Sequence, residues 1–221
     1  MNKHSLRKTR VIISLLAALG LSLGAVNPAL AQDGDWEPLV KNESERRILS
    51  VLDDIRVGPC TDELHGRLLR ILAESTKAKN VVEIGTGNGY SALWLCLGLK
   101  STGGQLVTHE IDHKQVVLAR ANFKRAGVEN LVTVVEGNAH HTVTQLKEPI
   151  DILFMDAEGG NLDYLNRLLP LVRPGGLILA DNMRKPKPDP RFIKAITTNP
   201  NLETIFLNMQ STGISLTVKK D

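Results

Sequence analysis

The sequence is poor in cysteine and in aromatic residues, which limits the kinds of site it can form. Among its 221 residues only two are cysteine, Cys60 and Cys96, and 4% are aromatic. One pair of cysteines this far apart lacks the spacing of a zinc or iron–sulfur site. A Cys60–Cys96 disulfide is compatible with an oxidising compartment, but the spacing alone does not establish it. No aromatic cluster marks a pocket for an aromatic ligand, and we expect Trp36 and Trp94 to serve packing.

An excess of positive charge is also missing once the N-terminus is set aside. Residues 1–10 carry four basic residues and no acid, an apolar run covers 11–26, and Ala29 and Ala31 form an A-x-A cleavage site. This arrangement predicts a signal peptide over residues 1–31, cleaved after Ala31, and an exported protein, periplasmic or secreted. The alternative is an uncleaved membrane anchor, but a span needs about 20 apolar residues. We therefore expect no stable membrane insertion after cleavage.

The charge of the remaining chain argues against a polyanion as partner. The predicted signal peptide holds four of the 27 basic residues and none of the 24 acidic ones. Residues 32–221 therefore keep 23 basic and 24 acidic residues, a formal net charge of −1. Nothing in this balance indicates binding to nucleic acid or to an acidic membrane surface. With no repeat and no internal linker, residues 32–221 are predicted to form one domain.

The hydrophobic pattern predicts an α/β fold. Two helical stretches, at about Glu43–Val57 and Thr61–Ser75, precede a regular alternation of short apolar runs and amphipathic segments. The apolar runs cover residues 81–84, 105–110, 131–136, 150–156 and 176–181, and the helical segments lie near 90–100, 113–126, 140–147 and 161–172. Such alternation is typical of β-α units that build a parallel sheet with helices on both faces.

The last two strands are predicted to depart from the parallel pattern. After a helix near Pro190–Thr198, apolar runs at 202–207 and 213–220 are separated by only five residues. Since a parallel connection needs a longer crossover, these runs should pair antiparallel. The expected architecture is a seven-stranded, mostly parallel sheet with a C-terminal antiparallel pair.

The most informative motif is a glycine-rich turn between the first strand and the following helix, V-V-E-I-G-T-G-N-G-Y-S over residues 81–91. Gly85 and Gly87 permit positive φ and a close approach of a ligand to the backbone. The spacing differs from the dinucleotide fingerprint G-x-G-x-x-G, because the third glycine comes one residue early and Glu83 precedes the first glycine. A carboxylate there would repel a pyrophosphate but suits a cationic amino-acid group, which disfavours a nicotinamide dehydrogenase. The alternative is a tight β-α turn without a ligand.

This turn resembles the E-x-G-x-G-x-G motif of class I methyltransferases, whose ligand is S-adenosylmethionine. Their Rossmann-like fold also has parallel strands closed by an antiparallel pair. Glu110 ends the second strand about 20 residues after the turn, where a carboxylate can accept both ribose hydroxyls; the alternative is a solvent-facing acid. The resemblance places Asn138 and Ala139, after the third strand, at the turn that contacts adenine.

Oxygen-bearing side chains end the fourth and fifth strands. Asp156 closes the fourth strand and Asp181-Asn182 the fifth, and in a parallel sheet both ends lie on the carboxyl edge. Two carboxylates and an amide suit Mg²⁺, with Ca²⁺ or Mn²⁺ as alternatives. Such an ion can hold two adjacent phenolic oxygens and lower the pKa of one. Otherwise, Asp181-Asn182 caps the next segment and Asp156 is an ordinary strand-end acid.

From Thr61 to Lys220 the chain resembles the bacterial branch of the catechol and caffeoyl-CoA O-methyltransferase family, the family 3 O-methyltransferases. The resemblance implies a divalent-metal-dependent enzyme that transfers a methyl group from S-adenosylmethionine to a phenolic, catechol-like acceptor, with a homodimer as the possible assembly. Implied S-adenosylmethionine contacts are Thr61, Glu83, Gly85, Thr86, Gly87, Ser91, Glu110, Asn138, Ala139 and Asp156. Implied metal ligands are Asp156, which is also catalytic, Asp181 and Asn182.

One position departs from the family pattern. Three residues after the strand-four aspartate the family usually has a lysine, as base or as electrostatic aid, whereas this chain has Gly159. Metal activation alone can replace the lysine, or His140 or His141 can act as base near neutral pH. The alternative function is a non-catalytic protein that binds S-adenosylmethionine or its demethylated product, since export takes the chain to a compartment where this cofactor is not expected to be abundant.

A basic, proline-rich loop follows the fifth strand. It carries Lys185 and Lys187 among three prolines. In the resembled family this region borders the acceptor, which makes the two lysines candidates to meet an acidic substrate. The alternative is a solvated loop.

Overall fold

A computed structural model describes residues 40–56 and 63–220 of the chain. The predicted signal peptide, Trp36, Cys60 and the implied cofactor contact Thr61 lie outside these residues. Cys96 is fully buried in the core. Because Cys60 is outside the described residues, a disulfide between the two stays a prediction. Within the described ranges, no helix has both the length and the apolar character needed to cross a membrane.

The seven predicted strands form a single sheet. The strands are β1 Asn80–Ile84, β2 Gln105–Glu110, β3 Val132–Glu136, β4 Ile150–Met155, β5 Val172–Ala180, β6 Leu202–Leu207 and β7 Ile214–Lys219. Their order across the sheet is β3-β2-β1-β4-β5-β7-β6. β1 to β5 pair in parallel, and β7 is antiparallel to both β5 and β6. The predicted architecture, including the antiparallel pair at the end, is confirmed.

Helices cover both faces of the sheet. They are α1 Glu43–Ile55, α2 Glu63–Ser75, α3 Tyr90–Thr102, α4 His113–Ala126, α5 Ala139–Thr142, α6 Asn161–Leu168 and α7 Pro190–Thr198. Alternate residues of β4 point to opposite faces, with Phe154 in the core against α1 to α4 and Leu153 in the core against α5 to α7. Because successive side chains enter different layers, the strand is apolar apart from Asp151 near its start.

The boundary between α6 and β5 differs from the prediction. The helix ends at Leu168 and not near residue 172, and β5 begins at Val172 and not at 176. Leu169 still has helical φ and ψ, but Pro170 lacks the N–H that would continue the helical hydrogen bonds, and the helix therefore ends here. Val172 then pairs with Ile150 ahead of a register irregularity in β4 and β5. The predicted helix at 140–147 is shorter as well, with α5 followed by a 3₁₀ turn, Val143–Gln145.

Close packing of α2 on α3 fixes the position of α2 relative to the sheet. A Cβ atom added at Gly66 of α2 would lie 2.2 Å from Cδ1 of Trp94 on α3, and one added at Gly98 would lie 2.7 Å from Cβ of Ala73. Trp94 is 3% exposed and has no room to withdraw. Glycine is therefore needed at both contacts, and α2 carries its neighbouring residues to a defined depth.

We predict that Gly66→Ala destabilises the protein. An alanine normally stabilises a helix interior by about 1 kcal/mol relative to glycine, but here the methyl group overlaps a buried indole and should cost about 1 to 3 kcal/mol net. Urea unfolding measures this difference. Leu64→Ala, at a 54% exposed position of the same helix, is the control and should change stability little. A Gly66→Ala protein as stable as the wild type would contradict the packing described.

Candidate active site

The carboxyl ends of β1, β2, β4 and β5 bring four loops to one edge of the sheet. Backbone hydrogen bonds connect each loop to its neighbour: Gly85 N donates to His109 O at 2.9 Å, Asp156 N to Ile84 O at 2.8 Å, and Asp181 N to Met155 O at 3.0 Å. The glycine turn, Asp156 and Asp181 therefore lie on successive strands at the same edge. This is the arrangement the sequence predicted for a ligand site.

The glycine turn is a tight backbone with open space beside it. Gly85 and Gly87 have φ of +96° and +51°, a region that side chains with Cβ rarely adopt. A Cβ at Gly85 would lie 2.8 Å from the carbonyl oxygen of Asp156, whereas one at Gly87 would meet nothing within 4 Å. Gly85 is therefore required for packing against the β4 loop, and Gly87 borders a space that a ligand can enter.

Glu83 lies beneath the turn and is completely buried. Its carboxyl group accepts from Ser91 Oγ at 2.5 Å and from Thr108 Oγ1 at 2.6 Å, and Thr86 Oγ1 joins this network through Thr108 at 2.6 Å. Burial raises the pKa of Glu83 to about 8, and the nearby carboxylate of Asp156 adds to the effect. At neutral pH the group is thus mainly protonated, and its own O–H then donates in one of these two hydroxyl contacts. Its position supports the turn from below, and a direct contact of Glu83, Thr86 or Ser91 with a ligand stays a prediction.

Glu110 organises the turn from the end of β2. One of its oxygens accepts from Gly87 N at 2.8 Å, and the other accepts from Ile111 N at 2.8 Å and Asp112 N at 2.9 Å. Each carboxylate oxygen has two lone pairs, which leaves capacity for a further donor. The carboxylate therefore ties the β2 loop to the glycine turn, and its predicted contact with ribose hydroxyls remains a prediction.

The predicted adenine turn begins α5. Asn138 is exposed and caps the helix, since its Oδ1 accepts from His140 N at 2.9 Å. Ala139 is 8% exposed and packs into the core. The Asn138 side chain is thus occupied in part by the cap, and adenine contacts at these two residues stay predictions.

His140 is held against α6. Its Nδ1 lies 2.6 Å from Oδ2 of Asp163, and its ring stacks on Tyr164 at 4.7 Å between centroids. Arg167 donates to the same Asp163 oxygen at 2.7 Å. This hydrogen bond and that of His140 lower the pKa of the Asp163 carboxyl. Since Asp163 orients the imidazole, His140 has the environment of a positioned histidine, and its role as a base stays a prediction.

Two of the three predicted metal ligands are in direct contact. Asn182 Nδ2 donates to Asp156 Oδ1 at 3.2 Å. Asp181 is 4% exposed, and its Oδ1 accepts from Asn182 N at 2.5 Å and from Thr212 Oγ1 at 3.0 Å. Side chains thus connect the ends of β4 and β5. Asp181 is buried, whereas Asp156 and Asn182 are partly exposed.

A buried histidine, which the sequence did not single out, holds the second oxygen of Asp181. His65 of α2 is 1% exposed, and its Nδ1 lies 3.1 Å from Asp181 Oδ2. Its Nε2 lies 3.1 Å from the amide nitrogen of Asn208, which can only donate. Nε2 is therefore the acceptor, and Nδ1 carries the proton that it gives to Asp181. His65 lies 116 residues before Asp181, and no motif connects the two positions.

The donor set suits a divalent metal in its chemistry. Asp156 and Asp181 supply carboxylates, and Asn182 supplies an amide oxygen once its amide group is turned, because the nitrogen now faces Asp156. Oxygen donors of this kind suit Mg²⁺, and a hydrogen bond from His65 is the outer-shell support that such ligands commonly have. In the described ranges no group of three or more His, Cys, Asp and Glu residues is placed to hold a metal ion, at this edge or elsewhere, so the candidate set depends on the Asn182 amide as its third donor.

A lysine also contacts this set of side chains. Lys187 Nζ donates to Asn182 Oδ1 at 3.2 Å. Gly159, at the position where the resembled family has its lysine, has φ of +74°, and a Cβ there would meet nothing within 4 Å. The Lys187 ammonium, which contacts the candidate site, therefore comes from the loop after β5.

Comparison with known proteins assigns the class and then the family. The strand order and the glycine turn define a Rossmann-like methyltransferase fold, shared with the structure of an O-methyltransferase from Bacillus cereus in complex with SAH. That structure has a TM-score of 0.69 and 30% identity, and the match covers 82% of this chain and 93% of that one. A family model described as O-methyltransferase matches residues 46–185. The chain belongs to this O-methyltransferase family.

Two curated relatives carry a more specific name. A catechol O-methyltransferase of Niastella koreensis is 36% identical over 143 residues, which cover 62% of this chain and 63% of the relative. A catechol O-methyltransferase of Mycobacterium tuberculosis is 39% identical over 120 residues, which cover 53% of this chain and 54% of the relative. The chain thus spans 63% and 54% of the lengths of these two relatives.

We predict that Glu83 makes stability fall as pH rises. Between its ordinary pKa of 4.5 and its raised value of about 8, the folded protein keeps a proton that the unfolded chain releases. The free energy of unfolding should therefore decrease by up to about 1.4 kcal/mol per pH unit in this window. Glu83→Gln, which stays neutral and retains an acceptor, should remove this slope.

Urea unfolding at pH values above 6.5 is the appropriate measurement. His109, whose pKa burial lowers from 6.5 to about 4, acts with the opposite sign below that range. Glu129→Gln, which removes an exposed carboxylate, is the control and should keep the wild-type slope. A Glu83→Gln protein with an unchanged slope would show that Glu83 is ionised when folded.

Proposed function

We propose that this chain is a divalent-metal-dependent O-methyltransferase that transfers a methyl group from S-adenosylmethionine to a phenolic, catechol-like hydroxyl. One observation carries the proposal. Open space beside Gly87 lies at the same sheet edge as the contact between Asp156 and Asn182. A cofactor bound beside Gly87 and an acceptor bound beside Asp156 and Asn182 would lie at adjacent strand ends. Methyl transfer requires the two molecules to be held next to each other in this way.

The residues around the glycine turn suit S-adenosylmethionine. Gly87 provides an approach without a side chain, and Glu110 offers a carboxylate that can accept ribose hydroxyls while it holds Gly87 N. Ile111, 66% exposed at the start of the next loop, offers an apolar surface for a base. The relative from Bacillus cereus, solved in complex with SAH, supports the same class of ligand.

The residues at the ends of β4 and β5 suit a metal and the acceptor. Asp156, Asp181 and Asn182 would hold the ion, and a bound divalent ion supplies Lewis acidity that lowers the pKa of a phenolic hydroxyl. His65 and Thr212 orient Asp181 for this task by donating to its two oxygens. His140, oriented by Asp163, is the candidate to take up the phenolic proton. The names of the curated relatives, both catechol O-methyltransferases, support a catechol-like acceptor.

A second candidate function is binding without catalysis. The observation that favours it is the glycine at position 159, with φ of +74° and open space around it, in place of the lysine of the resembled family. Tight binding of S-adenosylmethionine without turnover of any phenol would support this function over methyl transfer.

We further propose that the domain acts outside the cytoplasm after removal of residues 1–31, and that it forms a homodimer. The first proposal rests on the basic, apolar and A-x-A segments of the N-terminus, and the second on the resemblance to the O-methyltransferase family. Intact mass of the secreted protein and light scattering test them.

We predict that the purified chain transfers a radiolabelled methyl group from S-adenosylmethionine to catechol, and that a chelator abolishes the transfer. Asp156→Asn should lower the rate by about 100-fold or more, since even outer-shell partners of a metal contribute 10-fold to 100-fold. Glu158→Gln, which removes an exposed carboxylate two residues further on, is the matched control and should keep the wild-type rate. Transfer that survives the chelator would remove the metal from the mechanism.

A further inference from the structure

The acceptor side of the candidate site carries two carboxylates. Asp156 and Asp181 follow β4 and β5, and the residues directly after Asp156, Ala-Glu-Gly-Gly at 157–160, include no basic side chain. A phenolate oxygen that approaches these groups is repelled unless a cation faces it. A basic residue in contact with this edge is therefore informative about the acceptor.

Lys187 brings an ammonium group to this edge. Its Nζ donates to Asn182 Oδ1 at 3.2 Å, and the nitrogen of the same amide donates to Asp156 Oδ1 at 3.2 Å. One amide group thus separates the ammonium from Asp156. Because Lys187 is an exposed residue, a ligand can reach its ammonium from solvent.

The backbone that carries Lys187 is fixed, although its side chain is exposed. Met183 N donates to Gly213 O at 2.9 Å and Arg184 N donates to Thr212 O at 2.8 Å, which attaches the start of the loop to the β6–β7 connection. Lys187 N then donates to Arg184 O at 3.2 Å and closes a turn. The Cα of Lys187 is therefore held within reach of Asn182, and the hydrogen bond to Asn182 places the ammonium.

The acidic residue of the same loop is engaged elsewhere. Asp189 caps α7 by accepting from Arg191 N at 2.8 Å, and its other oxygen pairs with the Arg191 guanidinium at 2.8 Å. The carboxylate of Asp189 is therefore bonded within its own helix. The Lys187 ammonium bonds to the side-chain amide of Asn182.

We propose that the Lys187 ammonium binds the anionic oxygen of the phenolic acceptor and acts there as a fixed positive charge. The inference rests on the proposed function and adds the residue that neutralises the phenolate. The Asn182 oxygen that now accepts from Lys187 is also a candidate metal ligand, and two cations repel each other across one oxygen. When a metal ion binds that oxygen, the Lys187 ammonium loses its present acceptor. It can then form a charge-assisted hydrogen bond with the phenolate oxygen of the acceptor. Lys187 thus supplies the positive charge that Gly159, which has no side chain, cannot provide.

Equilibrium binding of catechol tests the assignment independently of turnover. Catechol is titrated into the full chain with S-adenosylhomocysteine and Mg²⁺, and the absorbance difference between neutral and deprotonated catechol reports the bound form. Lys187→Gln should weaken binding by about tenfold or more and reduce the signal of the deprotonated form. Lys187→Arg, which keeps the charge, should retain most of both. Lys185→Gln, which removes the same charge two residues away, is the matched control and should behave as the wild type.

The outcomes separate the assignment of Lys187 from the proposed function. Unchanged S-adenosylhomocysteine affinity in all variants shows that the fold and the cofactor site are intact. If the wild type methylates catechol and Lys187→Gln binds catechol as Lys185→Gln does, the assignment of Lys187 is wrong and the proposed function stands. If the wild type methylates no phenol, the proposed function fails, and the assignment fails with it.

Discussion

The in-register parallel pairing of β1, β4 and β5 is the constraint on which the site depends. Ile84 pairs with Met155, and Met155 pairs with Ala180, so three strands end together about 4.8 Å apart. The residues that follow them are then connected by the hydrogen bonds of Asp156 N and Asp181 N. A shift of one residue in either pairing would turn Asp156 or Asp181 to the other face of the sheet, and the contact between Asp156 and Asn182 would be lost.

Much of this arrangement was predictable because strand ends are visible in the sequence. Apolar runs that stop at an acid, as at Asp156 and Asp181, give both the strand and its end, and the parallel topology places those ends at one edge. The antiparallel closure followed from the short connection between the last two strands, whereas the order of the strands across the sheet comes from the structure. The start of β5 was missed because residues 172–175 include Pro174 and Gly175, which are rare in strand interiors.

The residues that sequence reasoning missed are those whose role depends on three-dimensional packing. His65 lies on an amphipathic helix with no motif around it, and the close packing of that helix on α3, at Gly66 against Trp94, brings it to Asp181. Asn208 and Thr212 belong to the β6–β7 connection, and reach the site because β7 pairs with β5. Lys187 was noted only as part of a basic loop, and its contact with Asn182 distinguishes it from Lys185.

The electrostatics of the site are consistent with a cationic ligand above the glycine turn. Burial raises the pKa of Glu83 to about 8, and the nearby carboxylates of Asp156 and Glu110 add to this effect. Each of these acids is held by donors from the protein, such as Ser91 for Glu83 and Gly87 N for Glu110. A sulfonium and an ammonium group brought to this edge would be attracted by the carboxylates of Asp156 and Glu110, whereas a pyrophosphate would be repelled.

Calorimetric titration of the full chain with S-adenosylhomocysteine, followed by NAD, measures this selectivity most directly. The account predicts saturable binding of S-adenosylhomocysteine at one site per chain, which NAD does not displace. Failure to bind S-adenosylhomocysteine, or its displacement by NAD, would contradict the claim that this sheet edge is a methyl-donor site.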